Sequence, residues 1–140
     1  MSYCEPSDIE LRLGTDDLVA LADHDGDGEP DADVVQGAIA SASALMDSYL
    51  SARFAVPVSP SSDALKTRAV NLAVYFLRLG RDSVTDDVRA QYQDDVDWLC
   101  AVVAGRASVG VEPPPAEIDK NAASVRYQSQ PRLFGRREPL

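Results

Sequence analysis

Basic residues are nearly missing from the start of this chain: residues 1–50 hold 12 acids and one base, Arg12. Residues 51–105 hold 7 acids against 6 bases and residues 106–140 hold 4 against 6, within a net charge of −10. An acidic body of this kind lacks the cationic surface that phosphate backbones require, which disfavours sequence-independent binding of nucleic acid. A solvated acidic face that aids solubility covers most of the asymmetry. Long apolar runs are absent too, so no membrane span is expected, and Met1-Ser2-Tyr3-Cys4-Glu5 shows neither the charged nor the apolar region of a secretory leader. A cytosol-like compartment is expected. The two cysteines, Cys4 and Cys100, fit no CxxC or zinc spacing and read as reduced thiols, with Cys100 in the core.

Catalytic constellations are absent as well. There is one histidine, His24, with no GxSxG, no HExxH and no glycine-rich phosphate loop after a strand. The paired carboxylates Asp16/Asp17, Asp86/Asp87 and Asp94/Asp95 are neighbours along presumed helices, so they diverge and belong in first turns or on solvent faces. Asp47 is expected to pair with a base of its own helix, Arg53 being near. The chain reads as a non-enzyme.

What the sequence does hold is Asp23-His24-Asp25-Gly26-Asp27-Gly28-Glu29-Pro30-Asp31, nearly an EF-hand loop. Counted from Asp23, the oxygen donors of positions 1, 3 and 5 fall on Asp23, Asp25 and Asp27, the turn glycine on Gly28, the carbonyl ligand on Glu29 and the ninth position on Asp31. Position 12, where a bidentate Glu closes the cage, is Val34, and Asp33 comes one residue early. Two readings stand side by side: a loosely held Ca²⁺ that keeps several waters, and an Asp/Gly turn whose side chains bond their own backbone and cap the next helix. His24 is expected to face solvent. No cofactor is required, and a weakly bound calcium is the only one suggested.

The periodicity predicts an all-α, compact bundle of about five helices over residues 1–105, followed by an extended, non-helical C-terminal arm over 106–140. Ser7 and Glu10 have the capping-box spacing, Gly14 closes the first short helix and Thr15 is placed to cap a second that carries Leu18, Val19, Leu21 and Ala22. Val35, Ala38, Ile39, Ala42, Leu45, Met46, Tyr49 and Leu50 recur at three- and four-residue intervals over a long helix from about 32 to 53. Its small residues, from Gly37 to Ala44, let another helix approach closely. Pro57 and Pro60 enforce an extended connector. Ser62 or Asp63 caps a fourth helix to about 79, with Leu65, Ala69, Leu72, Ala73, Phe76 and Leu77 inward, and Thr85 caps a fifth, with Val88, Tyr92, Val96, Leu99, Cys100 and Val103 inward and Gly105 at its end. Trp98 flanks that stripe, at the edge of the core or at a partner contact.

Beyond Gly105 the pattern changes. Ser108–Val111 has the makings of a short strand, Pro113-Pro114-Pro115 is a polyproline-like spacer, and Ser124–Gln128 alternates at strand period. A segment with so few apolar residues is either disordered or ordered by docking, and Val125, Tyr127, Leu133 and Phe134, which a purely solvating tail does not need, favour an arm that docks on another subunit.

Several stretches together resemble a known family: Met1-Ser2-Tyr3-Cys4, Arg12-Leu13-Gly14, the aspartate loop, Ala38-Ile39 with Ala42, Asp47-Ser48-Tyr49-Leu50, Arg53-Phe54 followed by Pro57, Leu72-Ala73, Tyr92, Trp98-Leu99 and Pro131-Arg132-Leu133-Phe134. In order and spacing they resemble the Mu-like prophage head-tail joining family, with Phe54 in place of an expected Tyr as a conservative departure. That family is similar to the head-completion adaptors of long-tailed phages. The resemblance implies a structural virion protein, held in the host cytoplasm before assembly, that forms a homo-oligomeric, twelve-fold ring between the portal protein and the tail or its stopper, through which packaged DNA passes without sequence-specific binding. It adds Pro131 and Arg132 to Val125, Tyr127, Leu133 and Phe134 as partner-binding residues. The alternative is a calcium-responsive, EF-hand-like protein-binding module, against which the missing acid at position 12 counts.

Overall fold

The computed structural model describes residues 2–114, which form five helices: α1 (Pro6–Leu13), α2 (Thr15–Ala22), α3 (Ala32–Leu50), α4 (Asp63–Gly80) and α5 (Asp86–Val103). The all-α reading of the sequence is borne out, and no strand occurs among the described residues. The long pair α3 and α4 makes the most extensive packing, α5 lies against both, and α1 and α2 close the remaining side. Ile39, Met46, Leu50, Leu65, Leu72, Leu99 and Val102 fill the centre, each essentially without solvent contact.

Helix ends follow local chemistry, with two differences from the sequence expectation. The first helix opens two residues earlier than a Ser7 cap implies: Pro6 supplies its preset φ at the first position, and the Asp8 carboxylate accepts from the Glu5 N–H at 2.9 Å. Glu10 instead accepts from the Thr15 hydroxyl at 3.0 Å, because Gly14, with φ +83°, turns the chain so sharply that Thr15 is already helical and Gly14 serves both helices. Ser62 and Thr85 cap α4 and α5 as expected, accepting from the N–H groups of Leu65 and Val88, both at 3.4 Å.

The fifth helix is rotated from the face its apolar residues suggest. Cys100 is exposed, and the innermost positions are Asp95, Leu99 and Val102, with Tyr92 and Trp98 partly buried beside them. Asp95, expected on a solvent face, is fully buried and paired with Arg68 of α4, whose guanidinium also lies 5.2 Å from the centre of the Trp98 ring. Gln91 donates to the same carboxylate oxygen at 3.3 Å. Burial pushes this carboxyl's pKa up while the Arg68 guanidinium pulls it down, and burial prevails. A stripe drawn from apolar residues alone cannot place such a pair inside.

Packing also continues past Gly105. At φ +78° this residue sits where a Cβ would come within 2.9 Å of Arg53 Nη1, and that nitrogen donates to the Val102 carbonyl at 3.0 Å. The turn sends the chain back along the body, where Val109 is buried and Ala107 and Val111 lie against the core. Ser108–Val111 is a turn, with the Gly110 N–H donating to Ser108 Oγ at 3.0 Å, and not the strand its sequence suggests. Burying a valine side chain is worth about 1.5–3 kcal/mol. A chain cut after Gly105 is therefore expected to be less stable than one cut after Pro114 by about 1.5–3 kcal/mol in chemical denaturation. Equal midpoints for the two would show that the returning segment adds nothing.

Candidate functional site

The aspartate loop joins α2 to α3, and its carboxylates are arranged by their own backbone. Asp23 accepts from the N–H groups of Gly26 at 2.6 Å and Gly28 at 3.0 Å, Asp25 from Asp27 at 3.1 Å, and Asp27 from Glu29 at 2.8 Å. These are the backbone-bonding turns of the second sequence reading, but its helix cap is not formed: Asp31, at the N-cap of α3, makes no side-chain bond to that helix. Asp31 closes the loop: its carboxylate accepts from the His24 N–H at 2.9 Å and its own N–H donates to the Ala22 carbonyl at 3.1 Å. Arg81, just past α4, clamps the base by donating to the carbonyls of Leu21 and Asp23. His24 is exposed, as expected.

The turns bring oxygens of Asp23, Asp25 and Asp27 within 4.8 Å of one another. The N–H groups of Gly26 and Gly28 hold the Asp23 pKa below the ordinary carboxylate value. For Asp25 the Asp27 N–H acts in the same direction, but desolvation and the charges of Asp27, Asp31 and Asp23 outweigh it and the net shift is upward. Such a trio of hard oxygens suits a hard divalent cation, yet Val34, at the closing position, is a partly buried residue of α3. The loop keeps its form through backbone hydrogen bonds and Arg81, and an incomplete oxygen set belongs with the weak, roughly 10⁻⁴–10⁻³ M class of sites.

A second cluster ties distant parts of the chain together and has no local signature. The Tyr3 hydroxyl donates to the Asp47 carboxylate on α3 and accepts from the Val58 N–H of the proline connector at 3.0 Å. The Tyr3 N–H in turn donates to Ser43 Oγ at 3.4 Å. Asp47 was expected to pair with a base of its own helix, but Arg53 is engaged at the end of α5 and the phenol takes its place. Burial, together with the hydrogen bond to Asp47, pushes the Tyr3 pKa up to about 12, and burial pushes the neighbouring Cys4 thiol up to about 11. Among the described residues none of this forms a nucleophile with an adjacent base. Val125, Tyr127, Pro131, Arg132, Leu133 and Phe134, the expected partner-binding residues, lie outside the described residues.

Two outcomes follow from these clusters. Tyr3→Phe leaves the Val58 N–H and Asp47 unpartnered and is expected to cost about 1–3 kcal/mol at neutral pH in urea denaturation. The raised phenol pKa contributes stability that is complete below pH 10 and lost as pH rises toward about 12, so the wild type should lose its advantage over Tyr3→Phe across that window; parallel pH profiles would contradict the linkage. For the loop, chelation with EDTA is expected to leave the melting temperature unchanged, and calorimetry with CaCl₂ should show binding no tighter than about 10⁻⁴ M. Sub-micromolar affinity, or unfolding on chelation, would show that a cation holds the loop.

Comparison with known proteins bears out the resemblance read from the sequence. The chain is 33% identical over 139 residues to "Gene product J" of Escherichia phage Mu, covering 99% of this chain and 97% of that protein. It is 29% identical over 102 residues to "Mu-like prophage FluMu protein gp36" of Haemophilus influenzae, covering 73% of this chain and 70% of that protein. The family described as "Bacteriophage Mu, Gp36" matches residues 3–127, so a match that begins at the Tyr3 staple also takes in the expected arm as far as Tyr127. This chain belongs to the Bacteriophage Mu, Gp36 family, and is a protein of a Mu-like phage.

Proposed function

We propose that this chain is a structural component of the virion, a head-to-tail adaptor that forms a ring at the neck and joins the portal to the tail or its stopper. The observation that carries the reading is the near end-to-end likeness to a phage Mu gene product within one family. The architecture suits the role. A helical body followed by 26 further residues beyond Pro114 would give each copy a surface to stack and a length of chain to lay on its neighbour, which is what a closed cyclic assembly needs. The acid-rich first fifty residues would repel the phosphates of DNA moving past them, so DNA could traverse the ring without sticking. No helix among the described residues is long and apolar enough to cross a membrane. In this reading the protein catalyses nothing and waits in the host cytoplasm until heads are filled. Its partners are the portal, the tail or stopper, and copies of itself in a ring of twelve. Calcium, if held by the aspartate loop, would be a weak accessory.

Deleting the reading frame from its phage genome is expected to yield DNA-filled heads and free tails in the lysate, with infectious particles reduced by orders of magnitude and restored when the protein is supplied from a plasmid. Joined particles at ordinary yield in the deletion would contradict the proposal.

A further inference from the structure

A cavity of about 300 Å³ opens between the N-terminal half of α3 and the C-terminal end of α4, lined by His24, Val34, Gly37, Ser41, Phe76 and Leu79 among others. Three of its features go beyond what the fold requires. Gly37 is an exposed glycine inside a 19-residue helix, where a Cβ would meet nothing within 4 Å. Glycine inside a helix costs stability against alanine, and nothing in the surrounding packing calls for one here. Leu79 is 52% exposed and Phe76 only partly buried, so the slot presents apolar surface to solvent. Finally, the slot borders the aspartate loop, whose Asp25, Asp27 and Glu29 are exposed, as is Asp33 in the first turn of α3. The nearby cation Arg81 is taken up by the carbonyls of Leu21 and Asp23.

An apolar slot with a glycine floor and an acidic border fits a segment that carries aromatic and aliphatic side chains among cations. The chain contains one. Residues 121–137 hold Arg126, Arg132, Arg136 and Arg137 and no acid, with Tyr127, Leu133 and Phe134 between them. We propose that residues 126–137 of a second copy dock here, Leu133 and Phe134 entering the slot and the arginines meeting the aspartate loop. This rests on the adaptor reading and supplies the contact by which its copies join. The described chain leaves the body by Val111 and Pro113, which share a cavity wall with Arg53 and Phe54 beyond the C-terminal end of α3. Gly37 lies toward the other end of that helix, about 20 Å from Leu50 at 1.5 Å per residue. Donor and acceptor surfaces at opposite ends make a head-to-tail contact, which repeats until it closes. The 19 residues from Pro114 to Leu133 span up to about 60 Å when extended, enough to cross to a neighbour.

Two full-length variants test this. Gly37→Arg fills the slot and opposes the arginines while leaving the tail intact; because it removes a helix-interior glycine, its melting temperature should equal or exceed that of the wild type. The double variant Leu133→Ser/Phe134→Ser leaves the slot intact and removes the anchor. In low-salt analytical ultracentrifugation the wild type is expected to self-associate in a concentration-dependent way that added salt weakens. Each variant alone should associate at least tenfold more weakly, and their equimolar mixture should form a heterodimer and nothing larger, since only one competent tail meets one competent slot. Association of either variant at wild-type strength would overturn the proposal. So would a wild type that stays monomeric at every concentration, the result for a tail folded onto its own body. In phage carrying Gly37→Arg, wild-type yields of joined particles would overturn the slot and leave the adaptor reading standing. Joined particles in the deletion itself would overturn that reading.

Discussion

One phenol holds three remote parts of this protein in place. Tyr3 gives its proton to Asp47 in the last turns of α3 and takes one from the Val58 N–H in the connector, so the start of the chain, its central helix and its proline-bound crossover meet at a single oxygen. A connector between Phe54 and Pro60 has no ladder of its own to satisfy its backbone, and a buried N–H left unpaired costs about 1–3 kcal/mol. The residues that carry the family resemblance acquire a physical meaning here. Tyr3, Asp47 and the segment around Pro57 make this junction, and Arg53 makes a second long-range link by donating to the Val102 carbonyl at the end of α5. These links hold the returning turn at Gly105 and the buried Val109 beside the central pair of helices. The chain beyond Pro114 therefore departs from a defined place on the body.

The helices were legible because each rests on local rules. Interval patterns marked α3 and α4, and single residues such as Ser62 and Thr85 marked where helices begin. What escaped the sequence was set by partners remote along the chain. Asp47 looked outward for a base in its own helix, whereas its partner lies 44 residues away. Asp95 was assigned to solvent because charge usually goes there, yet it stands in the ladder Val88, Tyr92, Asp95, Leu99, Val102 at helical spacing. An acid inside an otherwise apolar ladder is the signal that could have found it, and Arg68, Trp98 and Gln91 are the groups that make it tolerable. The exposure of Cys100 follows from the same rotation.

The aspartate loop was legible as a loop, and the structure brings Asp23, Asp25 and Asp27 together while spending much of their hydrogen-bonding capacity on backbone N–H groups. It thus acts first as a rigid acidic corner between α2 and α3, secured by Arg81 from the end of α4. In the proposed assembly that corner would have a second use, as the anionic border of a receiving surface for a cationic tail. Charge asymmetry along the chain, acids early and arginines late, would then be complementary between copies and not only a matter of solubility.

The adaptor claim is tested most directly by electron microscopy of the purified full-length protein mixed with isolated portal rings of the same phage. The account predicts a new ring of density, coaxial with the portal and stacked on its tail-facing end, with the same rotational symmetry as the portal and present only when the protein is added. Portal rings that look identical with and without the protein, under conditions where both remain folded and in excess, would contradict it.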